Sequence, residues 1–347
     1  MPRALDRLRP SVTRNELAWL ATLEDVESRL VFTETRKQAT RYRAETGPFD
    51  SDYLAALPAR GWTLLVHDVE KHLPAMRRLF AAVPFVPDWR IDDLMVSFAA
   101  PGGGVGPHTD NYDVFLCQGI GIREWRVSEK NVPADALASD DLALVRPFEG
   151  QTFSAREGDV LYLPPGVAHW GTAQRACITY SVGMRAPQLS YLGGELPDDE
   201  SENPFYGDPD LAADESRPGY ISPRAIARAV ALTGASGDER IVARALGRSV
   251  TATKEWLTPE GASDGESTEL VHATLRLKAH GMARIAWDDC NIFVNGRHYP
   301  LRSDDIPLVE EFCRTRSLPG RSVSRTARLE LLAWMARAGA FEIPGKL

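Results

Sequence analysis

Two short segments, GPHTDNYDV at residues 106–114 and LPPGVAHW at residues 163–170, restrict the fold of this 347-residue chain more than any other feature. The first carries His108 and Asp110 at the edge of an apolar, strand-like run, and the second delivers His169, 61 positions after His108. Side chains alternate faces along a strand, so His108 and Asp110 are expected to point one way and Thr109 the other. The third group must then come from a distant strand, and His169 lies between a Pro-Pro-Gly turn and the apolar run 176–182. Two imidazoles and one carboxylate on a single octahedral face leave three open positions. That set suits oxygen-activating iron(II) better than a closed structural zinc site. A chain built around it has to lay two strands that are remote in sequence side by side.

The residues before about position 191 supply such strands. WTLLV at 62–66, LMVSF at 94–98, and the runs 114–117, 124–127, 160–163 and 178–182 are short, apolar and bounded by Gly or Pro. Their number and spacing predict a barrel or double-sheet jelly roll. Helical spacing of apolar residues predicts a helix over 73–82. The Gly-rich loop 102–106 lacks the Lys-Ser/Thr of a phosphate-binding loop and is expected to let backbone approach the metal. The overall class is α+β.

Beyond this core the composition changes. Between Leu192 and Arg217 nine acidic residues face one arginine, which accounts for the whole net charge of -8, and Pro, Gly and Ser mark the segment as a connector. Residues 223–246 then read as two amphipathic helices broken near Gly234 and Gly237. Asn295-Gly296 between apolar runs signals a type I′ hairpin turn, followed by helices over 306–314 and 324–337. Two helices and a hairpin are the ingredients of a winged helix. Three parts are expected: residues 1–191, 192–285 and 286–347. Over residues 302–338 seven Arg stand against five acidic groups, too balanced a charge for a nucleic-acid footprint, so direct nucleic-acid binding is not expected. Cys117, Cys177, Cys290 and Cys313 are scattered and read as buried, reduced thiols. No apolar run is long enough to span a membrane and no signal-peptide core is evident, so a cytoplasmic location is expected.

The run SFAAPGGGVGPHTDNYDVFLCQGIGIREWRV, the later GDVLYLPPGVAHWG and the following YSVGMRAP resemble the JmjC-type ribosomal oxygenases. The resemblance is to the bacterial branch that hydroxylates an arginine of large-subunit ribosomal protein sixteen. It is dense from about Trp62 to Pro187 and continues, more weakly, through FYGDPD to the C-terminal helices. It implies a double-stranded β-helix (cupin/JmjC jelly roll), a helical dimerisation region and a C-terminal winged helix. It also implies iron(II), 2-oxoglutarate and dioxygen as the reacting set, a homodimer, and a large-subunit ribosomal protein as substrate. By the same resemblance His108, Asp110 and His169 hold the iron, and Arg123 holds the distal carboxylate of 2-oxoglutarate.

A physical case for Arg123 stands beside the resemblance. The co-substrate would leave a buried carboxylate that needs compensation, and an arginine fork offers two parallel charge-assisted hydrogen bonds. Arginine here also separates the chain from histidine-hydroxylating relatives, which the resemblance associates with lysine. Ser97, the one polar side chain of LMVSF, is a second contact to the co-substrate, with a hydroxyl bonded to its own backbone as the alternative. Thr179 and Ser181 share a face and line the same pocket in this reading. Tyr112, Asp113 and Trp170 are the nearest groups for substrate recognition. His67, His72, His272, His280 and His298 lack ligand-spaced partners and read as structural. Two other readings remain open: an oxygenase acting on a ribosomal-protein histidine or a small molecule, and a non-enzymatic cupin that binds through its winged helix.

Overall fold

Alternating apolar residues in the first half of the chain form ten strands in a computed structural model that describes residues 1, 3–4, 12–36, 39–133, 142, 144–193, 204–209, 217–234, 238–273, 276–319 and 326–343. The chain divides into two units, Met1–Val83 with Asp92–Met184, and Pro84–Ile91 with Arg185–Leu347.

The first unit begins with helix α1 (Arg14–Leu20), started by a capping box in which Thr13 and Glu16 satisfy each other's backbone N–H. A hairpin of β1 (Ser28–Arg36) and β2 (Ala39–Thr46) follows. Next come the short α2 (Ser51–Ala55), β3 (Trp62–Val66) and α3 (Val69–His72). The segment expected to be a helix over 73–82 is a 3-10 helix, Pro74–Ala82. The remaining strands are β4 (Ile91–Ala99), β5 (Val114–Gln118), β6 (Ile122–Val127), β7 (Gln151–Arg156), β8 (Val160–Leu163), β9 (His169–Ala173) and β10 (Cys177–Met184).

These strands form two antiparallel sheets of seven, in the order β2-β1-β3-β4-β10-β5-β8, and of three, in the order β7-β6-β9. Between them Val114, Leu116 and Leu163 of the large sheet pack on Trp125 and Ala155 of the small one. A double-sheet jelly roll is thus present, enlarged by the β1–β2 hairpin, which no sequence signal had singled out. Polar and charged residues fill most of β1 and β2, which hid the apolar face where Val31 and Tyr42 are buried.

Gly102-Gly103-Gly104 joins the sheets by backbone contact. Gly102 donates to the Ala173 carbonyl at 2.7 Å and Ala173 donates back to Gly103 at 2.9 Å. A Cβ on Gly104 would stand 2.5 Å from the Gly171 carbonyl oxygen, and one on Gly103 would collide with that of Trp62. Gly103 and Gly104 therefore serve close packing on β3 and β9, while Gly106, at the end of the loop, brings its carbonyl to 3.0 Å from His108 Nδ1. Gly104→Ala has no flexible side chain to displace, and overpacking of this kind costs about 1–3 kcal/mol. A lowered midpoint in thermal unfolding is the expected result.

In the second unit α4 (Pro223–Thr233) is capped by Ser222 and closed by left-handed Gly234, and α5 (Glu239–Thr251) is capped by Asp238. Their buried faces, with Ile226, Ala229, Val242, Leu246 and Val250, share a core with Trp89, Tyr206 and Phe293. Further on lie α6 (Asp264–Ala273), β11 (Arg276–Lys278), β12 (Ile285–Trp287), β13 (Asn291–Val294), β14 (Arg297–Pro300), α7 (Ile306–Thr315), β15 (Ser317–Pro319) and α8 (Thr326–Arg337). Asn295 and Gly296 join β13 to β14 with φ of 48° and 76°, the two positive values a type I′ turn requires. Strands β12, β13 and β14 form one sheet and β11 pairs with β15. A core of Trp287, Phe312, Leu331 and Met335 lies beneath α7 and α8.

Most of the acidic connector falls outside the described residues; within it Phe205 bridges to Gln188 and Tyr206 is buried. Of the four cysteines, all free, Cys117 and Cys177 are buried as expected, whereas Cys290 is exposed on the turn between β12 and β13 and Cys313 is only partly covered. Among the described residues no helix is long and apolar enough to cross a membrane.

Candidate metal and carboxylate site

His108 and His169 face each other through the backbone. His108 N–H donates to the His169 carbonyl at 3.0 Å and His169 N–H donates back at 2.9 Å, an isolated antiparallel pair. Residues paired this way put their side chains on the same face. The two ring centroids are accordingly 4.2 Å apart. Asp110 joins them differently from the strand alternation expected of His-x-Asp, because residues 109–113 are not in a strand. Its carbonyl accepts from Gly166 N–H at 2.8 Å, so the Pro-Pro-Gly turn that precedes His169 also holds Asp110. One potential ligand atom from each of His108, Asp110 and His169 lies within 4.8 Å of the others.

The tautomers follow from the neighbours. His108 Nδ1 is 3.0 Å from the Gly106 carbonyl and His169 Nδ1 is 3.0 Å from that of Val167. A carbonyl only accepts, so each Nδ1 carries the proton and each Nε2 presents its lone pair. His169 Nε2 then faces Asp110 Oδ2 at 3.6 Å, a lone pair against a carboxylate oxygen. Burial pushes the Asp110 carboxyl up, against the pull of His108, and pushes His169 down to about 3, with His108 adding to the effect. A site with two neutral imidazole nitrogens and a carboxylate turned inward fits a divalent cation that prefers mixed N/O ligands.

Arg123 lies on β6 as expected, after Gly121, whose φ of 74° makes the turn. Burial alternates along β6, which turns Arg123 and Trp125 inward. The guanidinium is only 4% exposed. Its Nη1 donates to Ser97 Oγ and to Thr179 Oγ1, both at 3.2 Å. Its Nε is buried without a partner, and no carboxylate among the described residues pairs with it. A buried cation without a counter-charge costs several kcal/mol unless something supplies one. The site therefore fits a guest carboxylate. Thr179 passes its own proton to Gln118 Oε1 at 3.3 Å, which leaves its oxygen free to accept from Arg123.

The three clustered side chains and Arg123 border a cavity of about 240 Å³. His108, Asp110, His169, Arg123, Ser97 and Ser181 line it, as the sequence reading expects, and Trp125 separates Arg123 from His169, its ring 5.2 Å from the guanidinium and 6.0 Å from the imidazole. Thr179, expected to line the same pocket, is not among its lining residues and instead accepts from Arg123. Tyr112 lines the cavity, whereas Asp113 accepts from Tyr162 at 2.6 Å and Trp170 donates to Tyr42 at 3.0 Å. His67, read as structural, also lines the cavity and meets Asp93 Oδ2 through Nδ1 at 3.1 Å. Asp93 and Met95 were missed although a signal existed: they share the face of β4 that carries Ser97, two and four residues on.

Comparison with known proteins gives this geometry relatives. The family model for a JmjC domain matches residues 78–192. A ribosomal protein uL16 3-hydroxylase of Escherichia coli (strain K12) is 41% identical over 217 residues, 61% of this chain and 56% of that protein. A probable ribosomal oxygenase of Haemophilus influenzae is 34% identical over 227 residues, 65% of this chain and 53% of that one. The chain thus spans little more than half the length of these curated relatives. Among solved structures, E. coli YcfD matches with a TM-score of 0.73 and 28% identity, covering 99% of this chain and 93% of that one. A ribosomal oxygenase structure of YcfD in complex with cobalt and 2-oxoglutarate matches with a TM-score of 0.67 and 28% identity, over 98% and 92% of the two chains.

Proposed function

From a chain that carries a JmjC domain on a jelly roll like that of YcfD, we propose an iron(II)- and 2-oxoglutarate-dependent protein hydroxylase acting on an arginine of a large-subunit ribosomal protein. The observation that carries the reading is a single cavity holding both a His-Asp-His cluster and a buried guanidinium that no carboxylate among the described residues pairs with. The names of the similar proteins support the substrate class, and a ribosomal substrate places the reaction in the cytoplasm.

In this reading His108, Asp110 and His169 hold the metal, and Arg123 receives the far carboxylate of 2-oxoglutarate with Ser97 and Thr179 fixing the guanidinium plane. Bound iron(II) supplies dioxygen activation, coupled to oxidation of 2-oxoglutarate to succinate and carbon dioxide. The protein contributes orientation and shielding. Val114, Leu116 and Trp125 line the cavity with apolar surface and keep bulk water from the reacting groups. His67 engages one oxygen of Asp93, whose carboxylate lines the cavity with Tyr112 and Met95. An acidic group beside an aromatic ring and a thioether suits a long side chain with a cationic tip, which favours arginine over a histidine or a neutral small molecule. A homodimer through α4 and α5, where Ile241 is exposed, and a winged helix built from α7, α8 and the β12–β14 sheet belong to the same proposal.

Mass spectrometry of the source organism's ribosomal proteins, incubated with the iron-loaded full chain and 2-oxoglutarate, tests the reading. One added oxygen on a single arginine of a large-subunit protein is expected. Oxygen added only to a histidine would move the chain to the other substrate class, and no 2-oxoglutarate turnover in the loaded protein would revive a purely binding role.

A further inference from the structure

Tyr42 contacts both segments that deliver the imidazoles. It stands on β2 opposite Thr33, in the hairpin that enlarges the large sheet, and is buried at 7% exposure. Its hydroxyl accepts from the indole N–H of Trp170 at 3.0 Å, and Trp170 follows His169 in β9. Its ring lies against Gly106, so closely that a Cβ there would stand 3.0 and 3.1 Å from two ring carbons. The carbonyl of this same Gly106 holds His108 Nδ1 at 3.0 Å.

We propose that Tyr42 is a positioning residue for metal binding, setting the rotation of His108 through Gly106 and the placement of His169 through Trp170. The inference rests on the reading of His108, Asp110 and His169 as ligands. Gly106 has a φ of 86°, which glycine adopts without steric cost, and the Tyr42 ring and the Leu144 side chain close the space a Cβ would take. A ring pressed on one side fixes the Gly106 carbonyl, and with it the tautomer and plane of His108. The hydrogen bond to Trp170 fixes β9 one residue beyond His169. Burial raises the Tyr42 phenol to about 12, so it stays a neutral hydroxyl across the working range. Groups that orient metal-bound imidazoles in this way typically change metal affinity 10–100-fold when lost.

Cobalt(II) binding to the full chain, followed by calorimetry and by the visible absorption of the bound ion, tests this without any turnover. Tyr42→Leu is expected to weaken cobalt binding by about 10–100-fold and to shift the absorption band. Tyr42→Phe, which keeps the ring on Gly106 and loses only the bond to Trp170, should fall between Leu and wild type, and it carries the test alone if the leucine variant does not fold. Leu30→Ala, a buried residue of the same hairpin, controls for lost stability and should leave cobalt affinity unchanged. Wild-type affinity and spectrum in both Tyr42 variants would overturn the inference, provided Asp110→Ala has lost binding. If Asp110→Ala binds cobalt as wild type does, the ligand assignment itself falls, and the role of Tyr42 with it.

Discussion

Replacing Asp110 with alanine is expected to abolish 2-oxoglutarate turnover and to weaken divalent-metal binding by at least about 100-fold, beyond the range seen for groups that only orient a ligand. The carboxylate is the one anionic member of the cluster, so its loss removes both a donor atom and the charge that offsets a dication. The backbone should survive, because the hydrogen bond that anchors this segment runs from Gly166 N–H to the Asp110 carbonyl and not to the side chain. Calorimetric titration with cobalt and a succinate assay together check the result. Wild-type turnover in Asp110→Asn, which keeps the shape and loses the charge, would remove the carboxylate from the metal.

Replacing Arg123 with methionine should raise the 2-oxoglutarate requirement by about 100-fold or more, since two charge-assisted hydrogen bonds are worth about 3 kcal/mol together. The same change should stabilise the protein without co-substrate. Arg123 is 4% exposed, pairs with no carboxylate among the described residues and leaves Nε unsatisfied, and replacing buried ionic groups by apolar side chains of similar volume is often neutral or stabilising by about 1–4 kcal/mol. Opposite signs for binding and stability separate a ligand-holding arginine from one kept for the fold. Thermal unfolding with and without 2-oxoglutarate reads both: the co-substrate should raise the midpoint of the wild type and leave that of Arg123→Met in place. A lower midpoint in the variant with an unchanged co-substrate KM would assign Arg123 to the fold.

The parts of the fold that were legible are those whose signal is local. WTLLV and VLYL form strands over the residues read from the sequence, because a short apolar run between breakers has few other ways to bury itself. Asn295-Gly296 gave its turn for a reason confined to two residues, both needing positive φ. The β1–β2 hairpin was hidden because its polar and charged residues outnumber the buried ones, and its inward face becomes apolar only when Val31 and Tyr42 meet Leu144, more than a hundred residues on. The helix read over 73–82 is a 3-10 helix, a distinction that apolar spacing does not report.

The sequence by itself determined the chemistry on offer: two histidines, a carboxylate and an arginine, each carried on or beside a strand, since residue type and local period decide what a segment can donate. Only the tertiary structure decided how they meet. His108 and Asp110 share a site through cross-links to His169 and Gly166, and not through strand alternation. That no carboxylate among the described residues pairs with Arg123 is evident only once every neighbouring strand is in place. Whether a buried charge is compensated, and which carbonyl fixes an imidazole, are properties of contacts between segments far apart in the chain. Periodicity carries no term for such contacts.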